Sequence, residues 1–280
     1  MVRSFLTKAL IVVIISCSMV SVSGPKKFGV SPWTSGQLLH AWMNPVLLHL
    51  EQSTNKDYQL TSAKSLNDYL VKAANNEFDV IMIPMHMGLF LMDRFRFKPV
   101  VFVRGTASIY IVANSNFPIY TLHDLKGMTL STADPIAITG MMTEKLLNEN
   151  KIPFQWQYAG NQWNIMDQLL KGEVQAGPIV GKDNFLTHIK FKNKLRLLYT
   201  FPIKLDGIMV VHGDVSDRRV EDLAELLVKF IPDEQSMIKS IDLITQVELN
   251  EWNQIMSPYF NLMQKRLKGL HPDFSDKVGW

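Results

Sequence analysis

The run Met128-Thr129-Leu130-Ser131-Thr132-Ala133-Asp134-Pro135-Ile136-Ala137-Ile138-Thr139-Gly140, continued by Met141 to Leu147, decides the fold. A β-rich piece, Met128 to Ser131, leads into a polar turn at Asp134-Pro135 and then into a helical run, Gly140 to Asn148. Strand, turn and helix in that order form the repeating unit of an α/β layer. The first amides of such a helix, near Ile138, Thr139 and Gly140, have no partner inside it and carry the positive end of its dipole. They can hold a phosphate-like or carboxylate-like anion without Lys or Arg. Ser131, Thr132 and Thr139 add hydroxyl donors, although Thr139 capping its own helix is the competing reading.

The same alternation extends in both directions. Upstream come strand Lys27–Val30, a helical face over residues 38–50 with Pro45 as a start or kink, strand Tyr58–Thr61 and a second face from Leu66 to Ala73. A buried-strand run, Asp79 to Ile83, stops at Pro84 and is followed by helix Met85–Arg94; Val100–Arg104 and Ile109–Ala113 read as two further strands joined by Gly105-Thr106. This order predicts an α/β layer with a largely parallel sheet. Asn114 to Pro118 is polar and turn-rich, a candidate crossing into a second lobe. There the alternation restarts with strand Phe154–Tyr158, helix Ile165–Lys171, strand Ala176–Val180, a helix near Asp183–His188 and strand Leu195–Thr200. Gly207–His212 reads as a return crossing, and helices at Arg219–Phe230, Gln235–Ile241 and Glu248–Lys268 close the chain. Two lobes joined by two extended crossings imply a cleft between them, the usual place for a ligand.

Further pieces carry a resemblance. Phe28-Gly29-Val30 with Pro32, Pro45 with Leu48 and Leu50-Glu51, Asp79-Val80 to Pro84, Thr121-Leu122-His123-Asp124-Leu125-Lys126-Gly127, and Asp134-Pro135 to Thr139-Gly140 occur in one order. In that order and spacing the chain resembles the type 2 periplasmic binding proteins, in particular the phosphate/phosphite/phosphonate-binding group that serves ABC importers. The resemblance spreads over most of residues 27–265. It implies a two-lobed α/β fold with lobes of residues 25–113 plus 207–280 and residues 114–206. It further implies a monomer that closes over a small anionic ligand, an ABC permease in the inner membrane as partner, no cofactor and no catalysis.

The departures bear on the ligand. Ala137 stands where the family usually has a serine, Gly160-Asn161-Gln162-Trp163 where it has a histidine and a carboxylate, and Met85-His86-Met87 where a tyrosine is usual. The candidate pocket therefore comprises the loops after Val30 (Ser31, Trp33) and after Ile83 (Met85, His86), the Ser131, Thr132, Ile138, Thr139, Gly140 segment, and Asn161, Gln162 and Trp163. An oxyanion head group is the favoured ligand. Trp33 and Trp163 leave open an aromatic or quaternary-ammonium ligand, since aromatic faces attract such cations. Trp156 reads as core, and Trp42 and Trp252 as structural residues on helical faces.

Residues 1–23 have the order of a secretory signal: Arg3 and Lys8, an unbroken apolar run from Ala9 to Ile15, then small residues. Ser21-Val22-Ser23 suits an ordinary signal peptidase and a chain beginning at Gly24. Ile14-Ile15-Ser16-Cys17 resembles a lipobox, with Cys17 as a lipidated N-terminus. The expected location is extracytoplasmic, soluble or lipid-anchored. The 280 residues carry 29 basic and 26 acidic side chains, interspersed, and loss of Arg3 and Lys8 lowers the net charge from +3 to +1. No basic stripe for nucleic acid appears, and one cysteine excludes an internal disulfide and a cysteine-based metal site. The seven histidines show no metal-ligating spacing, and neither a nucleophile elbow nor a P-loop occurs, so neither a metal ligand nor a catalytic residue is expected. A sensory module for a membrane partner, or a hydrolase or transferase pairing His86 with Asp134, are the rival uses of the same cleft. Met82, Met85, Met87 and Met92 read as packing, and Lys265-Arg266-Lys268 as a solvated helix end.

Overall fold

The computed structural model describes residues 24–182, 192–230, 243–244 and 249–277. The proposed signal segment with Cys17, the helix near Asp183–His188 and the helix Gln235–Ile241 lie outside the described residues. The first half runs β1 (Lys26–Val30), α1 (Gly36–Thr54), β2 (Tyr58–Thr61), α2 (Leu66–Ala74), β3 (Val80–Pro84) and α3 (Met85–Phe95). Then follow β4 (Lys98–Asn114), β5 (Thr129–Thr132), α4 (Ile138–Glu149), β6 (Gln155–Tyr158), α5 (Gln162–Lys171) and β7 (Ala176–Lys182). The chain ends with β8 (Leu195–Val211), α6 (Asp217–Val228), the short β9 (Leu243–Ile244) and α7 (Leu249–Leu270).

The molecule is a two-lobed α/β fold. The strand order β2-β1-β3-β8-β4-β7-β5-β6 sets parallel β2-β1-β3 on one side and parallel β7-β5-β6 on the other, with β8 and β4 antiparallel between them. Expecting a largely parallel sheet therefore missed its antiparallel centre. Nor do Val100–Arg104 and Ile109–Ala113 form separate strands: β4 is one strand of 17 residues, as is β8. Their pairing continues through register shifts, the widest between Val103 and Ala107, so bulges absorb the change of direction that Gly105-Thr106 suggested as a turn. β4 and β8 thus run unbroken between the two sets of parallel strands. Asn114 ends β4 instead, its buried amide donating to Leu169 O at 2.5 Å, and Ser115 N bonds Lys194 O at the start of β8.

Local chemistry explains the helix starts. Ser35 caps α1 by accepting from Leu38 N, and Ser65 caps α2 by accepting from Asp68 N at 3.2 Å. Pro45 lies inside α1 and does not start it. Leu39, Met43, Val46 and Leu50 recur at helical spacing and pack with Phe28, Val30, Met82 and Val101 on one face of the first lobe's sheet. The opposite face carries Tyr69, Ile81, Met85, Met87 and Phe90, in a cluster that continues through Ile111, Leu130 and Met141 to Met256, Phe260 and Met263 of α7. The methionines at 82, 85 and 87 are thus packing residues. α5 covers the second lobe with Ile165, Met166 and Leu169 against Tyr110, Val112 and Ile179.

Candidate functional site

A cavity of about 460 Å³ opens between the two halves. The turn after β1 (Pro32, Trp33, Thr34) and the β3–α3 junction (Ile83 to His86) line it from the first lobe, and Ala133 with Ala137 to Thr139 from the second. Val103, Ala107 and Gly207, from the strands that join the lobes, also line it. Among the described residues on its wall there is no Lys, Arg, Asp or Glu.

The start of α4 opens onto this space. Its N-cap is Ala137, in extended backbone and without a side-chain cap, so Thr139 does not cap its own helix. The first backbone bond of the helix runs from Met141 N to Ala137 O at 3.0 Å, leaving the amides of Ile138, Thr139 and Gly140 ahead of it. Ile138 and Thr139 belong to the cavity wall. Gly140 lies behind them against Thr132, where a Cβ would sit 2.7 Å from Thr132 Oγ1. Its role is close packing of α4 on β5.

The other hydroxyls of this segment point elsewhere. Ser131 Oγ donates to Gln168 Oε1 at 2.7 Å, fixing α5 on β5, and Thr132 Oγ1 is buried without a hydrogen-bond partner. Ser31 is fully buried and its Oγ accepts from Trp33 Nε1, which holds that indole in place. Neither Ser31, Ser131, Thr132 nor Gly140 is on the cavity wall, whereas Trp33, Met85, His86, Ile138, Thr139, Asn161, Gln162 and Trp163 are. Gln162 is engaged at both ends of its amide: Nε2 donates to Val180 O at 2.7 Å and Oε1 accepts from Val180 N at 2.9 Å. Asn161 Oδ1 accepts from Asn164 N at 3.0 Å and so caps α5. Trp163, in the first turn of α5, is 57% exposed.

Several wall residues carry no local signature in the sequence. Thr34 is 7% exposed, and its Oγ1 is buried without a hydrogen-bond partner. Trp42 and Trp252, expected to be purely structural, both reach the cavity from α1 and α7. A helical face predicts burial, but whether the burial is against core or cleft depends on how distant elements meet. Trp156 instead packs edge-on against Phe154 and donates to Glu144 Oε2 at 2.9 Å.

Three contacts hold the Asp134–Ala137 loop from the opposite side. Asn67, on α2, donates from Nδ2 to Asp134 Oδ2 at 2.8 Å and from its main-chain amide to the same oxygen at 3.3 Å. His86 Nε2 lies 3.2 Å from Ile136 O. Arg266 of α7 bonds Pro135 O and, at 2.6 Å, Glu144 Oε2, so the expected solvated helix end contains an ion pair to the second lobe. Burial pushes His86 down to about 4 despite its bond to Ile136 O, so the ring is neutral near pH 7. Burial also raises the Asp134 carboxyl, opposed by donors from Ile136 and Asn67. Asp134 is held by these loop contacts, and His86 bonds Ile136 O. Among the described residues no group of three or more His, Cys, Asp or Glu is placed to hold a metal ion, and no helix is long and apolar enough to cross a membrane.

Residues 28–251 match the model of a family described as the periplasmic substrate-binding protein of a phosphonate ABC transporter. No curated protein sequence matches the chain. Among solved structures it is similar to PhnD1 from Prochlorococcus marinus in complex with methylphosphonate, at 15% identity and TM-score 0.70 over 85% of this chain and 97% of that one. It is also similar to a binding protein component of an ABC phosphonate transporter from Pseudomonas aeruginosa, at 13% identity and TM-score 0.67 over 91% of this chain and 97% of that one. A Xanthomonas citri protein bound to ATP aligns at 12% identity and TM-score 0.67 over 87% of this chain and 99% of that one. At these identities the likeness is one of fold.

Proposed function

Because the chain belongs to the periplasmic substrate-binding proteins of phosphonate ABC transporters, we propose that it captures an oxyanion-bearing small molecule in the interlobe cavity and presents it to an ABC permease. The observation that carries this reading is the start of α4: free amides at Ile138 and Thr139, no side-chain cap, and a place on the cavity wall. Positive partial charge and unpaired donors converge there on the space between the halves, which favours an anion without a fixed cation. His86 supplies no charge near neutral pH. Its neutrality, and the lack of Lys or Arg among the described wall residues, leave the amides and hydroxyls to hold the head group.

Capture follows from contacts on both lobes. Groups of the β1–α1 turn and the β3–α3 junction belong to one half and the α4 start to the other, so a ligand touching both stabilises only the arrangement in which the halves meet. We read the lobe boundaries as falling inside β4 and β8, near the register shift after Val103, where the chain crosses between the halves. On this reading residues 1–23 direct export, with release at Gly24 or lipidation at Cys17, and the working site is outside the cytoplasmic membrane. On this reading the protein acts as a binder, as its family does, and the one titratable ring on the described wall, His86, is bonded to Ile136 O. Titration calorimetry of the purified protein with phosphate, phosphite, methylphosphonate and a quaternary amine tests the proposal. Heat from an oxyanion and none from the amine supports it; silence from every oxyanion overturns it.

A further inference from the structure

The cavity is too large, and its walls too apolar, for an inorganic head group alone. At about 460 Å³ the cavity lies within the range that holds an organic ligand of drug-like size. Asn67 bonds Asp134 and His86 reaches Ile136 O across the two halves, so the cavity lies between halves that touch at these two points.

What fills the remainder must suit the wall. Trp33, Trp42 and Trp252 line it together with Met85, Met256 and Ile165. The bond from Trp33 Nε1 to Ser31 Oγ fixes one of these rings, and the buried packing of Trp252 with α3 and α7 neighbours fixes another. Water held against such a surface is unfavourable, and an apolar body in its place gains both the transfer term and aromatic contact. A lone cation is disfavoured there, since the described wall carries no carboxylate while the α4 start presents positive charge.

Resting on the anion-binding reading above, we infer that the ligand is an organic oxyanion with a substantial apolar or aromatic substituent, its head at the start of α4 and its body among Trp33, Trp42 and Trp252. Each methylene buried there strengthens binding roughly fourfold. The protein then discriminates by the substituent as well as by the head group. Phosphite and methylphosphonate bind weakly because they leave the aromatic chamber wet.

Calorimetry of the purified protein with phosphite, methylphosphonate, hexylphosphonate and phenylphosphonate tests this. Expected is a rise in affinity of at least tenfold from methylphosphonate to the hexyl or phenyl compound, accompanied by a shift in tryptophan fluorescence. Trp42→Leu removes most of that rise, and a wild-type far-UV circular dichroism spectrum with a cooperative thermal transition shows that the variant is folded. Methylphosphonate binding as tightly as the larger compounds overturns the inference and leaves the anion reading standing. No binding by any of the four overturns both.

Discussion

Asn67 Nδ2 and the main-chain amide of Asn67 both donate to the same carboxylate oxygen of Asp134, at 2.8 and 3.3 Å. The donors sit at the start of α2 in one half of the molecule, and the acceptor begins the loop that leads to the first turn of α4 in the other. His271 Nε2, 2.8 Å from Asn67 Oδ1, orients the amide for this task. The contact joins the lobes at the edge of the cavity and positions the α4 amides at once.

Asn67→Ala therefore weakens more than a surface contact. It leaves a buried, partly desolvated carboxylate with fewer donors, a loss of about 1–3 kcal/mol of stability. The lobes part more readily, so the radius of gyration from small-angle scattering rises in the ligand-free protein and ligand affinity falls. Unchanged scattering and affinity would show that the contact does not hold the halves together.

Acid should destabilise the protein through His86. Its ordinary value of 6.5 falls to about 4 in the folded state because burial penalises the charged ring. The unfolded chain thus takes up a proton at higher pH than the folded one, and stability is lost as pH falls from 6.5 toward 4. At about 1.4 kcal/mol per pKa unit the loss reaches about 3 kcal/mol at most. Asp134, whose carboxyl is raised by burial, works in the opposite direction at the acid end. Denaturant unfolding of the wild type and His86→Gln across this range separates the two, with a flatter profile expected for the variant.

Gly140→Ala tests the seating of α4. The added Cβ would sit 2.7 Å from Thr132 Oγ1 and 3.2 Å from its Cγ2, and Thr132 is a buried β-branched residue with little room to turn. The helix start must shift outward, costing about 1–3 kcal/mol and moving the amides of Ile138 and Thr139. Thermal unfolding reads the first effect and ligand affinity the second; Gly140→Ala with Thr132→Ala recovers part of both.

Thr34→Val separates stability from binding. Thr34 Oγ1 is buried without a partner, an arrangement that costs about 1–3 kcal/mol relative to a satisfied group. Valine of similar shape raises the unfolding temperature of the ligand-free protein. If a closed-over ligand supplies the missing partner, affinity for the anion falls in the same variant, and calorimetry measures it directly.

The order of strands and helices was legible because each leaves a local record. β1, β2 and β3 are short β-rich runs, α1 and α2 repeat apolar residues at helical spacing behind serine caps, and the Asp134-Pro135 turn separates β5 from α4. The α4 start was legible only as a place, because Thr139 capping its own helix stayed open until the structure set the N-cap at Ala137. The continuity of β4 and β8 was not, because a bulge keeps a strand paired through residues that locally look like a turn. Gln162 and Ser131 looked available for a ligand, yet each is bonded to a neighbour brought close only by folding, Val180 and Gln168.

By itself, then, the sequence determined what depends on near neighbours along the chain: the alternation of elements and the loops between them that gather at one cleft. Tertiary structure alone decided which faces meet. It turned Trp42 and Trp252 toward the cavity, brought Asn67 to Asp134 across 67 positions and Arg266 to Glu144 across 122, and buried His86 against Ile136 O. Those outcomes rest on contacts between residues far apart in sequence, whose strength comes from excluded water and matched shape and leaves no periodic trace in the chain.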